Sequence, residues 1–231
     1  MKIGIIGAMK EEVAQLKVEM TNVNITSKAS MDFYEGILGN KEVIVVQSGI
    51  GKVNAGICTQ ILVDMFAIDC VINTGIAGSL RPEINIGDVV ISSDALQHDV
   101  DATEFGYPLG QIPRLDTLSF EADEKLAKQA IASCEEVNKD INVFSGRVVS
   151  GDQFIADSDT KQKIISNFDG YCTEMEGAAI AQTAHLNQLP FVIIRAISDK
   201  ADDSAQMDYP TFEKRAIENS VRLVKDMVAK L

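Results

Sequence analysis

The 231 residues are predicted to form an α/β domain around a mixed sheet. Three observations predict it: short β-branched runs recur along the chain, helical patterns fall between them, and two of the runs are joined as a hairpin.

The runs KIGIIG at 2–7, EVIVVQ at 42–47, CVINTG at 70–75, DVVIS at 88–92 and FVIIRAIS at 191–198 have the continuous apolar character of buried strands. MDFYEGIL, beginning at Met31, precedes EVIVVQ across Gly39, Asn40 and Lys41, a turn that suits an antiparallel pair and makes the sheet mixed. Helices are expected where Leu126, Ala130, Cys134 and Val137 recur at spacings of three or four, and again through Phe212, Ala216, Ser220, Leu223, Met227 and Leu231. The longest irregular stretch, 98–119, carries Gly106, Pro108, Gly110 and Pro113; a loop of that length usually serves function. No repeat, low-complexity tract or linker divides the chain, so residues 1–231 read as one domain.

Charge narrows the partners. A formal net charge of −13 repels phosphate backbones and anionic surfaces, which argues against nucleic acid and favours a small neutral or cationic ligand. No run approaches the roughly 20 apolar residues of a membrane span, and MKIGIIGAMKEE lacks a signal-peptide pattern, so a soluble cytoplasmic protein is expected. Cys58, Cys70, Cys134 and Cys172 form no C-x-x-C pair and only His98 and His185 could join them, so no metal is expected.

Strands end in glycine at Gly7-Ala8-Met9, at Gly49-Ile50-Gly51-Lys52 and at Gly75-Ile76-Ala77-Gly78, where backbone can approach a ligand. Each turn alone also fits a tight corner with no ligand; three together point to a pocket. A phosphate-binding P-loop is excluded, because one residue separates Gly49 from Gly51 and Val53 follows Lys52. The dinucleotide fingerprint fails at Gly4-Ile5-Ile6-Gly7, which lacks its G-x-G opening.

The carboxylates keep unusual company. Glu174 and Glu176 flank Met175 just before GAAIAQTAHL, a small-residue helix that reads as buried, so at least one should face inward. Asp199 emerges at the carboxyl end of FVIIRAIS, where open α/β sheets bind ligands, although a helix N-cap would explain it too. Glu11 and Glu12 begin a helix whose dipole keeps a carboxylate ionised; one could act as a base, and simple helix electrostatics would also account for them.

GIIGAM with Glu11 and Glu12, SGIGKVNAG, NTGIAGS, VVSGDQFI, EMEGAAIAQ and RAISDKAD follow one another in the order found in a single enzyme family. The chain closely resembles the 5′-methylthioadenosine/S-adenosylhomocysteine nucleosidases from residue 1 to about 230. The resemblance implies a nucleoside phosphorylase-like fold, a partly barrel-like sheet surrounded by helices, and a homodimer whose sites are completed by the neighbour. It implies hydrolysis of the bond between adenine and ribose in methylthioadenosine, S-adenosylhomocysteine and 5′-deoxyadenosine, within methionine salvage and without a cofactor.

Carried over residue by residue, Glu12 would activate water, Asp199 would protonate the purine N7, and Glu176 would hold the ribose hydroxyls with Met175 against the sugar. Phe154 would stack on adenine, Ile155 would read its edge through the backbone, Ser198 would orient Asp199, and Arg195 would help position the water. Ala8, Met9, Ile50, Ile76, Gly78 and Glu174 would complete the site, with Phe212 covering it from the last helix. Ala102, Phe105 and Pro113 would reach into the partner's 5′-thio pocket. Two departures stand out: Ile76 where the family often has serine, and Lys10 in place of an acidic residue.

The chemistry fits these residue types. Cleaving an N-glycosidic bond builds positive charge on ribose, so carboxylates can stabilise the cation, deliver water and protonate the leaving base. Asp199 would need a raised pKa from desolvation, and Glu12 would stay ionised at its helix N-terminus with some solvent. The rivals are a purine nucleoside phosphorylase, a nucleosidase for AMP or futalosine, and a non-catalytic nucleoside-binding module. Phosphate substrates call for cations, yet no arginine precedes Arg81.

Overall fold

A computed structural model describes residues 1–231. The hydrophobic runs at the head of the chain pair in parallel: β1 (Lys2–Gly7) lies between β4 (Lys41–Gln47) and β5 (Cys70–Ser79). β3 (Met31–Leu38) turns back on β4 as the antiparallel partner expected from the Gly39 turn. β2 (Thr21–Lys28) adds an outer strand with no apolar signature in its sequence, TNVNITSK, which is exposed along almost its whole length.

β5 decides the architecture. All ten of its residues are buried, because helices pack on both of its faces and strands pair on both edges. One edge carries β10 (Phe191–Asp199). The other is divided, with β1 taking Cys70–Asn73 and β9 (Cys172–Glu174) taking Gly78 and Ser79. β9 then pairs with β8 (Val143–Ser150), β8 with β6 (Val89–Gln97) and β6 with β10. Five strands thus close into a mixed barrel while β1, β4, β3 and β2 continue as an open wing. A two-residue strand, β7 (Phe120–Glu121), pairs with β6.

On one face α1 (Lys10–Glu19), α3 (Glu124–Val137) and α6 (Ala205–Lys230) share a core with β1, β5 and β10, and α3 and α6 bury there the apolar stripes expected of them. α2 (Lys52–Phe66) and α5 (Gly177–Leu186) pack against the opposite face, and α4 (Ser158–Phe168) closes a smaller cluster with Leu80, Leu96 and Val149. α6 starts earlier than the periodicity indicates and runs through Pro210. Standing sixth in the helix, Pro210 forfeits the one bond its N–H would have made to the Gln206 carbonyl. Between β6 and β7 the irregular stretch contains only a short 3-10 turn, Thr103–Phe105. No helix is long and apolar enough to cross a membrane.

Candidate active site

The divided edge of β5 creates the cavity. Between its pairing with β1 and with β9, that edge has no neighbour at Thr74–Ala77, while β10 continues along the other, and the chain opens there as α/β sheets do where strand order switches. A pocket of about 410 Å³ fills the opening, lined by residues from the ends of β1, β5, β9 and β10 and from the loop after β8.

Ala8, Met9, Glu12, Ile50, Ile76, Gly78, Phe154, Ile155, Glu174, Met175, Glu176, Ser198 and Asp199, named from the sequence, all line it. Gly78 pairs with Thr173 on one side and Asp199 on the other, and a Cβ there would stand 2.7 Å from Asp199 Oδ1. The glycine is what lets the carboxylate come so close.

Glu12 turns back from the first turn of α1 and is 5% exposed. Its Oε2 accepts the Met9 N–H at 2.9 Å, and its Oε1 accepts the Ile76 N–H at 3.2 Å across the gap in the sheet. Burial pushes its pKa up, opposed by the Arg195 charge and those amides. The solvent expected to keep Glu12 ionised is therefore absent; its favourable partner is a buried cation.

Asp199 is 2% exposed, accepts the Ala201 N–H at 2.7 Å through Oδ1, and receives the Ser198 hydroxyl at 2.8 Å on Oδ2. Burial pushes it up as well, and the carboxylates of Asp208 and Asp202 push further. The expected contrast between a wet base and a dry acid is thus replaced by a contrast of neighbours. Glu12 faces a positive charge and Asp199 faces negative ones.

Glu176 receives the Gly51 N–H at 2.8 Å, and burial followed by the Glu174 charge pushes it up to about 8. Glu174 goes the other way: burial opposes its ionisation, but Arg195, the Ser150 hydroxyl and the Gly177 N–H hold it below the ordinary carboxylate range. Arg195 pairs with Glu174 through Nε and Nη2.

Two expectations need correction. Arg195 does not line the cavity; it is 2% exposed and occupied by Glu174, so it acts from behind the carboxylates. Phe212 does not line it either. Tyr209, one turn earlier on α6, takes that place, its ring edge-on to Phe154 at 5.8 Å and its hydroxyl 3.3 Å from Met9 Sδ. Extending the apolar period of the last helix upstream through Pro210 would have found Tyr209. Lys10 is exposed at the start of α1, while Ile76 lines the pocket and offers Glu12 its backbone rather than a side chain. Ala102 is buried, and Phe105 and Pro113 are exposed, none of them in this chain's own pocket.

The phosphorylase superfamily model matches residues 2–229. A 5′-methylthioadenosine/S-adenosylhomocysteine nucleosidase of Exiguobacterium is 46% identical over 235 residues, covering 100% of this chain and 99% of that protein. The chain belongs to this nucleosidase family. Among solved structures, the Neisseria meningitidis nucleosidase in complex with methylthio-immucillin-A superposes with a TM-score of 0.95 at 42% identity, covering 100% of this chain and 99% of the other. The futalosine hydrolase of Helicobacter pylori gives 0.94 at 34% identity, covering 100% and 98%.

Proposed function

We propose that this nucleosidase-family chain hydrolyses 5′-methylthioadenosine and S-adenosylhomocysteine, and also 5′-deoxyadenosine, to adenine and the 5-substituted ribose. The observation that carries the reading is one pocket lined by Glu12, Glu176 and Asp199, all buried, and by no lysine, arginine or histidine. Such a wall offers the ribosyl cation a carboxylate in Glu12 and offers phosphate no counter-charge, which favours water over phosphate as nucleophile.

In this mechanism the base lies against Phe154 with its edge at the Ile155 backbone. Asp199, kept protonated by burial and by its acidic neighbours, delivers a proton to N7, and Ser198 fixes its orientation. Glu176 holds the ribose hydroxyls with Met175 beneath the sugar. Glu12, supported by the Arg195 charge, takes the proton of the attacking water. Residues 1–231 act as one catalytic domain. It pairs as a homodimer in which Ala102, Phe105 and Pro113 line the neighbour's 5′ pocket; the 84% exposure of the Phe105 side chain supports this.

The test is adenine release from methylthioadenosine with and without phosphate. Equal rates and a free thioribose product are expected; a phosphate requirement or a sugar phosphate would overturn the reading. The likeness to futalosine hydrolase supports a second substrate, so futalosine is assayed beside methylthioadenosine. A clear preference for it would reassign the natural substrate and leave the reaction type unchanged.

A further inference from the structure

β5 is built of apolar and small residues except for two buried side chains, Asn73 and Thr74, near its middle. Thr74 is satisfied by Ser220 on α6. Asn73 is 1% exposed, and an amide so placed costs stability unless both ends find partners. Its Nδ2 donates to the Ile6 carbonyl at 3.0 Å, anchoring the side chain to β1. Its Oδ1 accepts from Arg195 Nη2 at 2.5 Å, reaching across to β10.

The guanidinium is thereby held on three sides. Glu174 takes Nε and Nη2, Asn73 takes Nη2, and the Ile194 carbonyl takes Nη1 at 3.2 Å. The open face is over Gly75. A Cβ at that glycine would stand 3.1 Å from Arg195 Nη1 and 2.5 Å from Glu12 Oε1, so the cation and the proposed base share the space that a side chain would fill.

We infer that Asn73 is a positioning residue for the hydrolysis: it fixes the Arg195 guanidinium beside Glu12 through a neutral acceptor, leaving the cation's charge for the carboxylates around it. An aspartate would fit the same space and accept from the same Arg195 donor, but it would spend that charge and lose the bond to the Ile6 carbonyl. Arg195 is the one cation among Glu12 from α1, Glu174 from β9 and Glu176 before α5, with the Tyr209 hydroxyl of α6 also facing Glu12. A neutral orienter is therefore the residue type that keeps a carboxylate as buried as Glu12 ionisable.

The inference rests on Glu12 being the base, and the experiment separates the two claims. Glu12→Gln should lower methylthioadenosine hydrolysis by about 10²- to 10⁴-fold and leave a measurable rate; without that loss the assignment of the base fails, and the inference with it. Given that loss, Asn73→Asp should move the acid limb of the kcat/KM profile up by about one pH unit or more. Asn73→Ala should lower kcat roughly tenfold or more with KM within about threefold, and this loss should disappear in the Glu12→Gln background, as it does for residues that act as a unit. An unmoved acid limb in Asn73→Asp, or losses that add in the double variant, would overturn the inference and leave Asn73 as a strand tie.

Discussion

Glu12 and Asp199 are both buried carboxylates with raised pKa values, so burial alone does not say which gives a proton and which takes one. The sign of the nearest charge does. Replacing Asp199 with asparagine should lower methylthioadenosine turnover by about 10²- to 10⁴-fold, the range of a lost general acid. A nitrophenyl riboside, whose leaving group needs no proton, should be far less affected. Comparable losses on both substrates would mean that Asp199 organises the pocket instead. Glu176 gives a prediction in stability. Its folded pKa of about 8 lies above the ordinary 4.5, so the folded protein keeps a proton that the unfolded chain releases. That contribution is complete below about pH 4.5 and is lost as pH rises through 8. Glu176→Gln should therefore gain on the parent between pH 5 and pH 9 by at least about 1.4 kcal/mol in urea unfolding, the worth of a tenfold change in proton affinity. Parallel stability curves would show that Glu176 is ionised in the fold.

At the scale of elements, the first turns of α6 form the mouth of the pocket. Tyr209 touches Phe154 from one side and Met9 from the other, so a single residue spans from the stacking ring to the start of α1. Tyr209→Phe keeps the ring and should leave KM within about twofold, whereas Tyr209→Ala removes the cover and should raise KM roughly tenfold, as expected for a lost aromatic contact. Steady-state kinetics on methylthioadenosine decide it, and an unchanged KM in the alanine variant would move the mouth elsewhere. The elements also explain why α1 reaches the site at all. On the edge it shares with β1, β5 leaves Ile76 without a strand partner, and its N–H is taken by Glu12 in place of a ladder bond.

On the scale of the molecule, Phe105, Val53 and Leu186 are exposed by 84%, 71% and 59%. Large apolar side chains left this bare favour a second copy as their cover. If sites are shared, Asp199→Asn and Phe105→Asp chains, each nearly inactive alone, should regain activity when unfolded and refolded together. A statistical mixture of dimers would restore about a quarter of the parent rate, since half the dimers carry one intact site. No recovery, in a mixture verified to contain hybrids, would place the loop outside the neighbour's site.

Much of this was readable from the chain. Buried strands announce themselves as β-branched runs, and Asp199 and the pairs Glu11/Glu12 and Glu174/Glu176 stand out because carboxylates rarely sit beside apolar strand ends; the resemblance to the nucleosidases chose Glu12 and Glu176 within those pairs. β2, β8 and β9 were not foreseen, β9 because three residues hold no period and β2 because both its faces are exposed. The sequence by itself determined the α/β class and the hairpin of the mixed sheet through local pattern, and most of the pocket wall through motifs shared with the nucleosidases. Only the tertiary structure decided that Tyr209 rather than Phe212 covers the pocket, that Arg195 stands behind it, and that Asn73 ties Arg195 to β1. Those facts depend on which edge of β5 each strand takes, and on the charges that burial brings together. Neither is encoded at short range, because residues such as Glu12, Asn73 and Arg195 meet only when the sheet closes.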